Sequence, residues 1–148
     1  MLTVIKVGYK LKVIIAGCRN VFDYSLLLDA ISYSEYKITE VVGGGAKGAD
    51  ELGMIWATQN DIKFTLFPAD WNMYGKAAGP IRNRQMAEYA DALIALWDGE
   101  SKGTRNMIDE ARKQKLKIHI SLTKEGFERQ REHEQKLNAL EKFYEDKK

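Results

Sequence analysis

The length, composition and charge of the chain exclude several classes of protein. Its 148 residues suffice for one compact domain, and 45% hydrophobic with 30% charged residues is typical of globular rather than disordered proteins. A formal net charge of +2 gives no strong signal for nucleic acid, and the single cysteine, Cys18, excludes an internal disulfide framework. No apolar run approaches the ~18 residues of a membrane span, and the N-terminus lacks a signal-peptide pattern. We therefore expect a cytoplasmic protein with no membrane partner.

Apolar runs typical of β-strands alternate along the chain with segments of helical periodicity. Strands are predicted over residues 12–17, 38–42, 62–67, 90–97 and 116–122, with a short edge strand over residues 2–7. Helices are predicted after an N-cap at Asp23 and over residues 47–59, 81–89 and 104–114, with Pro80 at the first helical position of the third. This alternation predicts an α/β fold, with a doubly wound parallel sheet of about five strands between two helix layers. Ligands of such sheets bind at the carboxyl ends of the strands, where the strand order reverses.

The last 26 residues differ in character from the rest of the chain. About half of residues 123–148 are charged, and Phe127, Leu137, Leu140 and Tyr144 fall roughly on one helical face. Two interpretations remain open: a solvated helix that docks on its own domain, or a helix for self-association. We divide the chain into an α/β domain over residues 1–122 and a charged helical tail over residues 123–148.

Two loops have the composition of anion-binding sites. The stretch from Gly43 to Asp50 joins a strand to a helix, and its glycines permit positive φ and close backbone approach. Free N–H groups and the helix dipole at such a junction favour an anion. The spacing of the glycines does not match a Walker A loop, and a dinucleotide-binding fingerprint would not normally occur in this context. The second loop, from Asp98 to Thr104, has the same features, because it places the cation Lys102 and the small residue Gly103 at a predicted helix start. The alternative for the first loop is a tight turn that only packs.

Other residues near predicted strand ends are candidates for ligand contact. Arg82 lies at a predicted helix start, where its positive charge is unfavourable beside the positive end of the helix dipole. A bound phosphate would compensate for this charge. The alternative is that Arg82 reaches solvent. Cys18 is interpreted as a reactive thiolate or as a small buried side chain, and the absence of a nearby histidine favours the latter. Trp71 is placed either as a stacking surface for a base or as a core residue. Two histidines and one cysteine offer no metal-site spacing. The candidate ligand-binding residues are Gly17, Cys18, Arg19, Gly43, Gly44, Gly45, Lys47, Gly48, Asp50, Asp70, Trp71, Arg82, Asn83, Asp98, Ser101, Lys102, Gly103 and Thr104.

An ordered set of motifs resembles a known family. The motifs span residues 13–19, 43–50, 67–71, 75–83 and 98–104, and together they resemble the YspA-like family of the SLOG superfamily, which is common in bacteria and phages. The resemblance implies a Rossmann-like fold and a nucleotide or nucleotide-derived ligand. Cys18 stands where the family usually has serine, which removes one hydroxyl donor.

A more distant similarity is to the LOG-type phosphoribohydrolases, which cleave the N-glycosidic bond of nucleoside 5′-monophosphates. Their catalytic arginine falls on Arg82, but their catalytic glutamate falls on Met107, whose thioether cannot take a proton. Glu110, one turn deeper in the helix, is a possible substitute on the same side. If the chain is an enzyme, the resemblance and the loops make Arg82, Asp50 and Asp98 the candidate catalytic residues. We expect a homodimer, because these related enzymes form homo-oligomers and the tail has an apolar face.

Three functional hypotheses follow. The first is a nucleotide sensor or carrier that needs no cofactor and has a small-molecule nucleotide as its partner. The second is a nucleotide hydrolase acting on an N-glycosidic or phosphate-ester bond. The third is a protein-interaction module that works through its C-terminal helix. The missing carboxylate at Met107 favours the first over the second.

Overall fold

The sheet of the protein is five-stranded and entirely parallel. The computed structural model describes residues 10–147, so the edge strand predicted over residues 2–7 lies outside the described part of the chain. The strands are β1 (Leu11–Gly17), β2 (Ile38–Gly43), β3 (Lys63–Leu66), β4 (Ala92–Trp97) and β5 (Lys117–Leu122), in the spatial order β3-β2-β1-β4-β5. β1 is central, since Val13 pairs with Val41 of β2 on one side and with Ala92 of β4 on the other. The predicted doubly wound, three-layer α/β fold is confirmed.

The helices begin close to the predicted positions, with two differences. They are α1 (Tyr24–Ser34), α2 (Ala49–Gln59), α3 (Trp71–Tyr74), α4 (Ala78–Tyr89), α5 (Lys102–Lys113) and α6 (Lys124–Glu145), with a 3-10 turn over Gly75–Ala77. Pro80 is the third residue of α4 rather than its first, which is tolerated because the early N–H groups of a helix have no partner within it. α5 begins before Thr104 because Ser101 caps it, its hydroxyl accepting from the backbone N–H of Thr104 at 3.4 Å.

The central strand is covered on both faces, which explains its continuous apolar run. Val13 and Ile15 belong to the core cluster under α1 and α2. Ile14 and Ala16 belong to the cluster under α4 and α5, which also contains Met107. Each face of β1 therefore supports one helix layer.

The order of the strands places a crevice between β1 and β4. The chain runs outward from β1 through β2 to β3, then crosses over and continues from β4 to β5. The connections that leave β1 and β4 therefore diverge to opposite faces of the sheet. Ligands of open parallel sheets bind at this switch point.

Helix α6 contacts the domain mainly through its first turns. Gly126 packs closely against the backbone of Trp97 and Asp98. A side chain at this position would push that backbone away. Farther along the helix, the apolar side chains of Leu137, Leu140, Phe143 and Tyr144 are all exposed. Within residues 10–147, no helix is long and apolar enough to cross a membrane.

Candidate functional site

A cavity of about 640 Å³ opens at the carboxyl ends of β1 and β4, at the switch point of the sheet. Its walls come from the ends of both strands, the start of α2, α3, and the first turns of α4 and α5. Twelve residues of the sequence prediction lie in its lining: Gly17, Cys18, Arg19, Asp50, Trp71, Arg82, Asn83, Asp98, Ser101, Lys102, Gly103 and Thr104. Six others lie outside the lining: Gly43, Gly44, Gly45, Lys47, Gly48 and Asp70.

Asp50 is the buried carboxylate of the cavity. It is the second residue of α2 and is 6% exposed, and its Oδ2 accepts a hydrogen bond from the backbone N–H of Gly44 at 3.2 Å. Burial raises the pKa of Asp50 to about 6, against the opposing effects of the Arg82 charge and of the N–H groups of Gly44, Ala46 and Gly17. The side chain of Asp50 is thus the negative charge on which these backbone donors converge.

The first glycine loop turns away from the cavity because of its own packing. Gly48 has φ 82°, and a Cβ there would overlap the backbone of Cys18 and Arg19. The backbone N–H of Ala49 donates to the carbonyl of Cys18 at 3.2 Å, which fixes the loop against the segment after β1. Of residues 43–48, only Ala46 lines the cavity. The loop therefore holds Asp50 in place and presents little of its backbone to a ligand.

Arg82 bridges α4 and the first glycine loop. Its Nη1 donates to the carbonyl of Gly44 at 2.9 Å, and its Nε donates to Oδ1 of Asn83 at 3.1 Å. Burial lowers the pKa of Arg82, while the charge of Asp50 raises it. A Cβ at Gly44 would overlap the guanidinium, so a side chain there would require Arg82 to move. The interpretation of Arg82 as a solvent-facing cation does not hold.

The first turn of α5 opens onto the cavity. Asp98 Oδ1 accepts from the backbone N–H groups of Glu100 at 2.9 Å and Ser101 at 2.8 Å, which shapes the turn before the helix. Burial raises the pKa of Asp98, but these N–H groups, led by that of Ser101, outweigh it and hold the pKa below its ordinary value. A Cβ at Gly103 would meet nothing within 4 Å, so the helix N-terminus is open at this residue.

Cys18 is a buried thiol on the cavity wall. It is 3% exposed, and its sulfur accepts from the backbone N–H of Asp98 at 3.3 Å and lies 4.0 Å from Oγ1 of Thr104. Burial raises the pKa of the thiol, so its nucleophilic thiolate form is disfavoured at neutral pH. The structure agrees with the interpretation of Cys18 as a small buried side chain.

The expected substitute carboxylate on α5 faces away from the cavity. Glu110 lies 3.2 Å from Nζ of Lys113 and 3.7 Å from Nε of Arg84, and it is absent from the lining. The ion pair with Arg84 holds Glu110 toward α4, so Glu110 does not replace the missing carboxylate in the cavity. Met107 does line the cavity, at 1% exposed.

Comparisons with known proteins place the chain in a family. A model of the YspA, cpYpsA-related SLOG family matches residues 11–74. The chain is also 38% identical over 112 residues to Gene 61 protein of Mycobacterium phage D29, covering 69% of this chain and 89% of that protein. The chain belongs to the YspA-related SLOG family.

The solved structures add a similar fold. DNA processing protein A (DprA) from Streptococcus pneumoniae superposes with a TM-score of 0.60 at 19% identity, over 75% of this chain and 50% of that chain. The chain thus spans half the length of DprA, and at this identity the similarity concerns the fold alone. The SLOG match covers β1 to α3 and includes Cys18, Asp50 and Trp71, whereas the α4 and α5 walls lie beyond the matched segment.

The sequence prediction missed part of the lining of this SLOG cavity. The missed residues are Ala16, Asn20, Ala46, Gly79, Pro80, Met86, Asn106 and Met107. Asn106 was findable, because it follows Gly103 by three residues in one helix and such residues share a face. The apolar ones carry no signal that distinguishes cavity lining from core.

Proposed function

We propose that this protein binds a phosphate-bearing nucleotide or nucleotide derivative in the cavity between β1 and β4, as a sensor or carrier. The open first turn of α5 at Gly103 carries the proposal, because it faces a cavity whose volume of about 640 Å³ suits a small-molecule ligand. Membership of the SLOG family supports a nucleotide-related role. No cofactor is needed for this function.

The phosphate belongs at α5 rather than at the first glycine loop. The N–H of Gly44 already donates to Asp50, whose carboxylate form would repel a second anion. At α5, the carboxylate of Asp98 accepts from the N–H groups of Glu100 and Ser101, which precede the helix. The helix dipole and the N–H groups of the first turn still favour an anion, and Lys102 and Arg82 in the same lining add positive charge. Trp71 on the α3 wall is 52% exposed and offers a flat surface for a base.

Binding assays against a ligand panel test this function. The panel contains nucleoside monophosphates, diphosphates and dinucleotides, with the matching nucleosides and inorganic phosphate to separate the contributions of base and anion. A short single-stranded oligonucleotide is included because the similar fold occurs in a DNA processing protein. A ligand at a hundredfold excess over its Kd stabilises the folded protein by ~2.7 kcal/mol, which a thermal shift detects. No shift with any nucleotide at millimolar concentration would contradict the proposal.

A second candidate function is hydrolysis of a nucleotide, and the environment of Asp50 favours it. A cavity carboxyl group with a pKa of about 6, beside a guanidinium, has the properties of a general acid. Asp98 supplies another carboxylate in the same cavity, while Met107 supplies none. Release of base, ribose 5-phosphate or inorganic phosphate from AMP, GMP, CMP and UMP distinguishes the two functions. Turnover that Asp50→Asn or Asp98→Asn abolishes would make the protein a hydrolase.

A further inference from the structure

Two asparagines connect the α4 and α5 walls of the cavity. Asn83 on α4 is 6% exposed, and its Nδ2 donates to Oδ1 of Asn106 on α5 at 2.9 Å. The same Nδ2 lies 3.4 Å from the carbonyl oxygen of Gly103, and Oδ1 of Asn83 accepts from Nε of Arg82 at 3.1 Å. Arg82, Asn83 and Asn106 therefore form one continuous hydrogen-bonded chain.

The direction of this chain follows from which groups can only donate and which can only accept. A guanidinium has only donors, so Arg82 requires the oxygen of the Asn83 amide on its side. The carbonyl of Gly103 has only acceptor capacity, so it requires the Asn83 nitrogen on the other side. Asn106 must then turn its oxygen toward Asn83.

The side-chain nitrogen of Asn106 remains available to donate a hydrogen bond to a ligand in the cavity. Asn106 is in the lining, and among the residues that the structure describes none accepts a hydrogen bond from its Nδ2. It follows Gly103 by three residues in α5, and residues with this spacing are neighbours on one helix face. The side chain of Asn106 and the open helix N-terminus therefore lie on the same side of α5, at the wall of the cavity.

We propose that Asn106 determines ligand specificity by donating a hydrogen bond to a phosphoryl oxygen of the bound nucleotide, and that Asn83 is the positioning residue that orients it. The inference rests on the proposed nucleotide-binding function and specifies how the site recognises the anion. A ligand that presents a donor group at this place meets a donor and is rejected.

The test compares single and double variants with two classes of probe. Affinities of AMP, GMP, CMP and UMP, and of their nucleosides, are measured for the wild type, Asn106→Ala, Asn83→Asp and the double variant. Asn83→Asp keeps an acceptor for Arg82 but offers Asn106 a second acceptor, so the Asn106 amide turns over and presents its oxygen to the ligand. Unfolding curves verify that each variant is folded, and Asn106→Ala alone carries the test if Asn83→Asp is not.

We expect Asn106→Ala to weaken binding of the monophosphates at least about tenfold and to leave nucleoside binding unchanged. Asn83→Asp has a similar effect, which it exerts by turning the Asn106 amide. The double variant binds no more weakly than Asn106→Ala, because the effect of Asn83 acts through Asn106. Side-chain amide NMR signals of Asn106 shift when a monophosphate is added to the wild type and stay in place with a nucleoside.

Several outcomes overturn the inference. If the wild type binds monophosphates and Asn106→Ala binds them equally well, the inference fails while the proposed function stands. A double variant weaker than Asn106→Ala assigns the effect of Asn83→Asp to its added charge and removes the positioning role. Equal loss of nucleoside binding would assign Asn106 to the base or sugar instead. If the wild type binds no nucleotide, the proposed function fails and this inference fails with it.

Discussion

The carboxylate of Asp50 accepts a hydrogen bond from the backbone N–H of Gly44, six residues earlier in the chain, at 3.2 Å. A glycine-rich strand-to-helix loop commonly uses such N–H groups to hold a phosphate. Here the loop encloses an anion of the protein itself. The external ligand is consequently left with the other helix start of the cavity, at α5.

The pH dependence of stability should show the burial of Asp50. Its pKa rises from 3.8 to about 6 on folding, so between these values the native state keeps a proton that the unfolded chain has lost. Stability contributed by the protonated form is therefore lost as the pH rises through this window. Relative to Asp50→Asn, the wild type should lose about 2–3 kcal/mol of unfolding free energy between pH 4 and pH 7. Urea denaturation at four pH values measures this difference.

The exposed carboxylate Asp29 on α1 provides the control. Asp29→Asn should change the unfolding free energy by less than about 0.5 kcal/mol, as is usual for surface substitutions. Parallel stability curves for the wild type and Asp50→Asn would show that Asp50 titrates alike in both states and contradict the prediction.

Substitutions of two glycines should affect different properties, since one should lower nucleotide affinity and the other should lower the stability of the fold. Gly103→Ala places a methyl group in open space in the first turn of α5, so the unfolding free energy should stay constant or rise by up to about 1 kcal/mol. Nucleotide affinity should fall, because the methyl group keeps the phosphate from the backbone. Gly48→Ala instead overlaps the backbone of Cys18 and Arg19 at a positive φ and should destabilise the fold by about 1–3 kcal/mol. Unchanged affinity in Gly103→Ala would exclude this turn as the anion site.

Arg82 should contribute to affinity, whereas its neighbour Arg84 should not. Arg82→Ala removes a charged donor from the lining and should weaken nucleotide binding by about 1.5–3 kcal/mol. Arg84→Ala is the matched control on the same helix, since the Arg84 side chain is 63% exposed and pairs with Glu110. Calorimetric titration of both variants decides the point, and equal losses would indicate that only the net charge matters.

The tail should hold two copies of the chain together. Leu137, Leu140 and Tyr144 are exposed at helical spacing on α6, and exposed apolar residues clustered on one face mark association surfaces. We expect a dimer by light scattering, and a folded monomer after Leu137→Glu with Leu140→Glu. A wild-type monomer at high micromolar concentration would remove this prediction.

Local patterns in the sequence predicted the fold but not the details of the site. The apolar run of β1 and the regular alternation of strands and helices are properties of neighbouring residues, so they could be read directly. α5 begins at Lys102 rather than at Thr104 because Ser101 caps it. Contacts between distant segments are different, since nothing near Gly44 indicates that Arg82, 38 residues later, donates to its carbonyl.

Local sequence also cannot show which hydrogen-bond donors remain available to a ligand, because this depends on contacts between distant segments. The composition of the first glycine loop indicates N–H groups near a helix, but not that the side chain of Asp50 folds back onto them. Asn106 lies inside a helix, where most polar side chains face solvent, so its spacing from Gly103 is the one feature of the sequence that indicates a place in the cavity. Identifying the lining required the positions of four segments relative to one another.

The position of Trp71 gives the protein a built-in optical signal. The chain has three tryptophans, and Trp71 stands half exposed in the cavity wall while Trp56 packs against the core cluster under α1 and α2. With Trp56→Phe and Trp97→Phe, one tryptophan would remain, next to the place proposed for the base. Stacking of a base on that indole would quench its emission, so occupancy of the cavity could be followed in real time without attaching a dye.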